Sequence, residues 1–76
     1  MITAKCVNVR EPFSNKPYEY LEQDKEYEVT HIDMGSSFTF ITLKDGRIYN
    51  SVNFDFYEDG KPLDIYEDKR FNPYLR

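Results

Sequence analysis

The sequence predicts a mainly β protein, folded as one domain over residues 1–76 into a small barrel or a rolled antiparallel sheet. Three observations favour this fold class. Short runs rich in β-branched and aromatic residues recur along the chain, separated by turn-forming residues. The segment 25–33 alternates polar and apolar residues, as a half-buried strand does. The pair Asp45-Gly46 lies between two such runs and is typical of a tight hairpin turn, in which both central residues need positive φ.

The predicted strands are 2–9, 25–33, 38–44 and 47–50, followed by a hairpin that pairs 54–58 with 63–67. A long loop over 10–24 follows the first strand and should fold back onto the sheet. In the second strand Tyr27, Val29 and His31 should share one face, because side chains alternate along a strand. We expect five strands within residues 2–57, followed by an extension over 58–76.

An acidic phrase occurs twice near the C-terminus, as Asp-Phe-Tyr-Glu-Asp at 55–59 and as Asp-Ile-Tyr-Glu-Asp at 64–68. If residues 59–62 form a turn, Phe56 faces Ile65 and one side of the hairpin is apolar. The other side then carries the candidate partner-binding residues Asp55, Tyr57, Asp59, Asp64, Tyr66 and Asp68. A helix over 63–71 is the rival interpretation, and it would scatter the same carboxylates around a cylinder.

Composition argues against several classes of function. Fourteen acidic residues against ten basic ones give a net charge of −4, which argues against direct binding to nucleic acid or to anionic membranes. No apolar run approaches the roughly 20 residues that span a bilayer, and the N-terminus lacks a signal peptide, so we expect a bacterial host's cytoplasm. One cysteine and one histidine provide neither a disulfide nor a zinc site, and no cofactor or metal is expected.

Enzymatic activity is not expected either. Cys6 and His31 lie on strands that could be neighbours, and a cysteine–histidine pair can form an activated thiolate. No third orienting group can be identified, so we interpret Cys6 as a small buried hydrophobic residue. The carboxylates show no calcium-loop spacing and are, by default, solvated surface charges.

The segments "AKCVN", "KEYEVTHI", "FTFITLKDGRIYN" and "FDF" resemble the small Src-homology-3-like barrels of low-GC Gram-positive bacteria and their phages. The resemblance covers residues 4–57 and implies a five-stranded barrel with a binding role. The chain departs from the pattern at Asp24-Lys25, where such proteins often carry Gly-Lys, and it extends beyond the last matched strand. It has no tryptophan, so no peptide-binding residues are carried over.

The doubled acidic phrase suggests a docking surface. Carboxylates at alternate positions of a strand lie about 6.6 Å apart, similar in size to the spacing of DNA phosphates. We therefore expect a protein-binding module, encoded by a phage, that imitates DNA and blocks a host enzyme such as a polymerase, a polymerase clamp, a glycosylase or a nuclease. The alternative interpretation of the repeated acidic phrase is an ordinary solvated sheet face, whose charges discourage aggregation.

Two other functions stay open. The chain could be a nucleic-acid-binding accessory protein that uses its aromatic residues and a basic tail formed by Lys69, Arg70 and Arg76. It could also be a self-assembling phage structural component, and a homodimer is compatible with so small a chain.

Overall fold

Six strands form one antiparallel sheet in the computed structural model, which describes residues 1–75. The strands are β1 (Ile2–Cys6), β2 (Glu26–Met34), β3 (Thr39–Leu43), β4 (Ile48–Asn50), β5 (Phe54–Glu58) and β6 (Lys61–Leu63). Their order across the sheet is β4-β3-β2-β1-β5-β6. The mainly β fold class is confirmed, and the sixth strand lies at Lys61–Leu63 in the extension, where the sequence predicts a hairpin strand over 63–67. Within the described residues no pairing joins β4 to β6, so the sheet stays open.

β2 belongs to both halves of the sheet and changes its side-chain phase midway. Its first residues pair with β1, and the stretch from Val29 onward pairs with β3. The register shifts between Val29 and His31, which leaves Thr30 as an extra, bulged residue. The extra residue reverses the alternation, so Ile32 packs on the core and His31 is exposed. The prediction that His31 shares a face with Tyr27 is therefore wrong.

The inner faces of the two halves meet in a single core. Its buried apolar residues are Ala4, Cys6, Leu21, Ile41, Leu43, Tyr49, Phe54, Phe56 and Ile65. The rings of Tyr49 and Phe54 lie 6.0 Å apart between centroids and join β4 to β5. Cys6 is fully buried, which confirms its interpretation as a small hydrophobic residue, and burial raises the pKa of its thiol.

The long loop between β1 and β2 folds back onto the sheet through some of its apolar residues. Leu21 is buried, and Tyr18 packs edge-on against a core ring at 5.1 Å. Phe13 stays 80% exposed, so it does not join the core. The loop ends at Asp24, which has a left-handed φ of 65° and donates its amide to the carbonyl of Cys6 at 2.7 Å. Aspartate tolerates this backbone conformation, which glycine adopts more readily.

The β3–β4 hairpin forms where the sequence predicts it, with a different turn. Residues 44–47 connect the two strands, and the amide of Leu43 donates to the carbonyl of Arg47 at 2.9 Å, which closes a loop of three residues over 44–46. Of the predicted pair Asp45-Gly46, only Gly46 has a positive φ, at 88°. This combination is typical of a three-residue hairpin loop that ends in a left-handed glycine.

The β5–β6 hairpin turns on Asp59 and Gly60 alone. Their φ values of 50° and 84° are the two positive angles of a type I′ turn. Glu58 pairs directly with Lys61 across this turn. The predicted four-residue turn over 59–62 is therefore wrong, because its last two residues already belong to β6.

The shorter turn moves the strand pairing by two residues. Phe56 lies opposite Leu63 instead of Ile65. After β6 the chain leaves the sheet in a 3₁₀ turn at Ile65–Glu67, and Ile65 inserts into the core. The carboxylate of Asp64 caps this turn by accepting the amide of Tyr66 at 3.0 Å. Beyond Leu63, neither the predicted strand nor the rival helix over 63–71 is present. No helix in the described part of the chain is long and apolar enough to span a membrane.

Candidate protein-binding face

Asp55 and Tyr57 lie on the outer surface of the half-sheet formed by β1, β5, β6 and the first part of β2. Both residues alternate along β5 with buried phenylalanines, so their side chains point away from the core. Pro62 lies opposite Tyr57 on β6, and Asp64 follows it two positions later. These residues help to line a shallow depression of about 360 Å³. Three of the six predicted binding residues, Asp55, Tyr57 and Asp64, therefore come together.

Two glutamates outside the predicted set, Glu26 and Glu28, lie on the same face. Lys5 of β1 pairs with Asp55 on one side and with Glu26 on the other. Thr3 of β1 likewise pairs with Tyr57 on one side and with Glu28 on the other. Paired residues share a face, so Glu26 lies about 10 Å from Asp55, two strand spacings away. We call Glu26, Glu28, Asp55, Tyr57 and Asp64 the acidic face.

Asp59 is separate from the acidic face, at the tip of the β5–β6 hairpin. Its carboxylate accepts a hydrogen bond from the N-terminal ammonium of Met1 at 2.7 Å. This contact holds the pKa of Asp59 below its usual range and raises the pKa of the N-terminal amine. The charge of Asp59 is therefore matched by a neighbouring positive charge.

Asp68 is also held by a cation, on the other side of the sheet. The guanidinium of Arg70 donates to Asp68 at 2.7 Å and to both carboxylate oxygens of Glu58 at 2.8 Å. Glu58 alternates in phase with Phe56, so this cluster lies on the core side of β5. The hydrogen bonds from Arg70 lower the pKa of both carboxyl groups. The cluster ties the C-terminal segment to the hairpin.

Tyr66 turns towards the beginning of the 3₁₀ turn that follows β4. Its hydroxyl lies 2.6 Å from the hydroxyl of the buried Ser51, and its carbonyl accepts the side-chain amide of Asn72 at 2.7 Å. Together with Asp59 and Asp68, Tyr66 completes the second half of the predicted set. The structure thus divides the predicted row between the acidic face, the hairpin tip and the C-terminal segment.

The structure also shows where the candidate catalytic pair and the basic tail lie. His31 is exposed while Cys6 is buried, so the two side chains that could have formed a catalytic pair lie on different faces of the sheet. Among residues 1–75, no group of three or more metal-ligating side chains could hold an ion. In the basic tail, Arg70 is committed to two carboxylates, Lys69 is exposed, and Arg76 lies outside the described residues.

Comparison with known proteins identifies a family. The family described as bacteriophage T4 protein Y07B matches residues 4–76. Since the match covers nearly the whole chain, the chain belongs to this family. It supports a phage origin, as the resemblance at the sequence level implied. Searches of curated proteins and of solved structures gave no match.

Proposed function

We propose that this phage protein is a non-enzymatic binding module whose acidic face imitates DNA phosphates and blocks a host DNA-transaction enzyme. One observation carries the proposal. Among the described residues, Glu26, Asp55 and Asp64 take part in no salt bridge, whereas the carboxylates outside the face at Asp59 and Asp68 are paired with cations. Glu28 of the same face contacts Lys44 at 3.9 Å, so the face keeps three uncompensated carboxylates around the partly exposed Tyr57.

The arrangement suits a basic groove that normally receives DNA. Carboxylates along and across the strands lie about 7–10 Å apart, a spacing comparable to that of phosphates along a strand. A field of one sign speeds the approach of an oppositely charged partner. Tyr57 at the centre adds contact area and a hydroxyl, which is typical of residues that dominate interfaces. Lys5 interrupts the carboxylates, so the face imitates a short stretch of phosphates.

The likeness to Src-homology-3-like barrels is part of the same proposal. It is supported by β2, which bends at its bulge and serves both halves of the sheet. In this architecture the strands form a rigid platform, so the acidic face can bind without reorganising the backbone. We place its action in the host cytoplasm, where polymerases, clamps, glycosylases and nucleases meet DNA.

The test is retention of a host DNA-binding enzyme on the immobilised protein, followed by competition with duplex DNA. The wild-type protein should hold the enzyme at low salt, release it as salt rises, and inhibit its binding to DNA. A variant carrying Glu26→Gln, Asp55→Asn and Asp64→Asn should bind at least about tenfold more weakly. Asparagine can still cap the 3₁₀ turn, so the fold should be retained.

A control variant separates the acidic face from net charge. Glu11→Gln, Glu19→Gln and Asp33→Asn remove three charges from exposed positions outside the face. The control should bind like the wild-type protein. Equal binding by both variants, or an enzyme that duplex DNA does not displace, would show that the proposal is wrong. Direct, salt-sensitive binding of single-stranded DNA would instead favour the accessory-protein function.

A further inference from the structure

Four apolar side chains are exposed together on the outer surface of the other half-sheet. They are Phe13, Phe38, Phe40 and Ile48, with exposed fractions of 80%, 48%, 44% and 64%. The rings of Phe13 and Phe38 meet edge-on with their centroids 5.5 Å apart, and Phe38 lies 6.4 Å from Phe40. We call these four residues the aromatic patch. Their mutual contacts make them one surface instead of scattered exposed residues.

The strand pattern fixes the patch in place. Phe40 and Ile48 alternate with Ile41 and Tyr49, which occupy the core, so they must point outward. β4 is the last strand on its side of the open sheet. The long loop brings Phe13 to this edge, and a groove of about 240 Å³ lies between the loop and β4.

The patch is large enough to matter for association. At about 200 Å² per ring, the three phenylalanines leave roughly 350 Å² uncovered. Ile48 and the groove walls bring the apolar surface to about half of the roughly 800 Å² that each partner buries in a standard interface. Contiguous apolar patches of this size on small proteins commonly mark a binding surface.

We propose that the aromatic patch is the interface of a two-fold dimer formed by a second copy of this chain. In such a dimer the same surface meets itself, so it must carry both a projection and a recess. Phe13 and Ile48 project, and the groove beside them is the recess. Glu11 is the only charged residue among those that line the groove. Asp33 pairs with Phe40 and borders the patch on its other side, so the apolar centre between these two carboxylates is the surface that a second copy would bury.

The unpaired edge of β4 also favours a second copy of this chain as the partner. An uncovered edge strand flanked by exposed apolar side chains tends to pair or aggregate, and a dimer would cover it. The acidic face lies on the other half-sheet, so it stays accessible in both copies. The dimer therefore does not depend on the proposed function, and each assembly would present two acidic faces.

Sedimentation velocity over a range of protein concentrations tests the dimer directly. The wild-type protein should move from the 9.1 kDa monomer to twice that mass as concentration rises. Raising the salt concentration should maintain or strengthen the dimer, because it screens repulsion between two chains of net charge −4. Phe13→Glu and Ile48→Glu should each weaken association about tenfold or more.

Val52→Glu is the matched control, because Val52 is 61% exposed and lies outside the patch and its groove. It should leave the dimerisation constant unchanged, and circular dichroism should show all three variants folded. A wild-type protein that stays monomeric throughout overturns the proposal. So does a dimer that survives both Phe13→Glu and Ile48→Glu, or one that Val52→Glu disrupts equally.

Discussion

Truncation of Ile65 tests whether the segment after β6 belongs to the core. Ile65 is fully buried in its 3₁₀ turn, although this residue lies outside the sheet. Ile48 is the same residue type on β4 and is 64% exposed. Replacing each by alanine removes the same three carbon atoms from two opposite environments, so any difference in stability reports burial.

The expected magnitudes are well separated. Three buried carbons at about 0.8 kcal/mol each give roughly 2.4 kcal/mol of lost transfer free energy for Ile65→Ala. The cavity left behind raises the cost to about 3–4 kcal/mol, within the usual range for such truncations. Ile48→Ala should cost about 0.5 kcal/mol or less, as surface changes do. A chain of this length has roughly 4–11 kcal/mol of total stability, so the first change is severe.

The assay is urea unfolding followed by tyrosine fluorescence, at a concentration low enough to keep the protein monomeric. Ile65→Ala should lower the unfolding midpoint substantially with an unchanged slope, and Ile48→Ala should leave it near the wild-type value. If the two variants unfold at the same urea concentration, Ile65 is not a core residue. The placement of the C-terminal segment would then have to be revised.

Three further changes test local features. Arg70→Gln should reduce stability at pH 7. Arg70 lowers the folded-state pKa of Glu58 and Asp68, so its contribution is present above their unfolded pKa values and is lost as pH falls through the folded ones. The difference in urea midpoint between Arg70→Gln and the wild-type protein should therefore shrink and then disappear as pH falls below the usual range of carboxyl pKa values, and a constant difference would contradict the ion-pair cluster. Gly60→Ala should cost about 1–2 kcal/mol in urea unfolding, because φ is 84° although a methyl group has open space; an unchanged midpoint would argue against the type I′ turn. Tyr66→Phe should cost about 1 kcal/mol in the same assay, because it leaves the buried hydroxyl of Ser51 without this partner; an unchanged midpoint would contradict the hydrogen bond.

The approximate positions of the strands through β4 could be predicted because alternation and turn residues mark each element locally. The phase change in β2 could not, since the bulge at Thr30 inserts one residue without any distinctive sequence signal. The position of His31 was therefore assigned to the wrong face. A single extra residue moves every later side chain of a strand to the other side.

The hairpin register failed for a different reason, although a signal was present. Asp59-Gly60 carries the same type of turn signal as Asp45-Gly46, and it would have placed Glu58 opposite Lys61. The doubled acidic phrase suggested a symmetric pairing instead. Since a shift of two residues keeps the same side chains on the same face, the apolar pattern alone cannot distinguish the two registers.

Three of the six predicted residues, Asp64, Tyr66 and Asp68, depended on that register. The acidic face depends on strand pairings between segments that are distant in sequence. Asp55 and Glu26 share the acidic face only because β1 lies between their strands. Local patterns do not reveal which strands are neighbours, so Glu26 was not assigned to the site. The contact of Arg70 with Glu58 likewise joins separate segments, and it fixes the guanidinium that neutralises Asp68 of the predicted row.

The two proposed surfaces follow from one division of the sheet and should respond to salt in opposite ways. The acidic face attracts a basic partner by long-range charge, so its affinity should fall as salt rises. The aromatic patch buries apolar surface between two chains of equal charge, so its affinity should hold or rise. Glu19→Gln acts on neither contact directly, because Glu19 is exposed and lies outside both surfaces, whereas Asp55→Asn changes only the first and Ile48→Glu only the second. If Asp55→Asn and Ile48→Glu each impaired both enzyme binding and dimerisation, the two surfaces would act as one. The bulge of β2 would then not separate two functions.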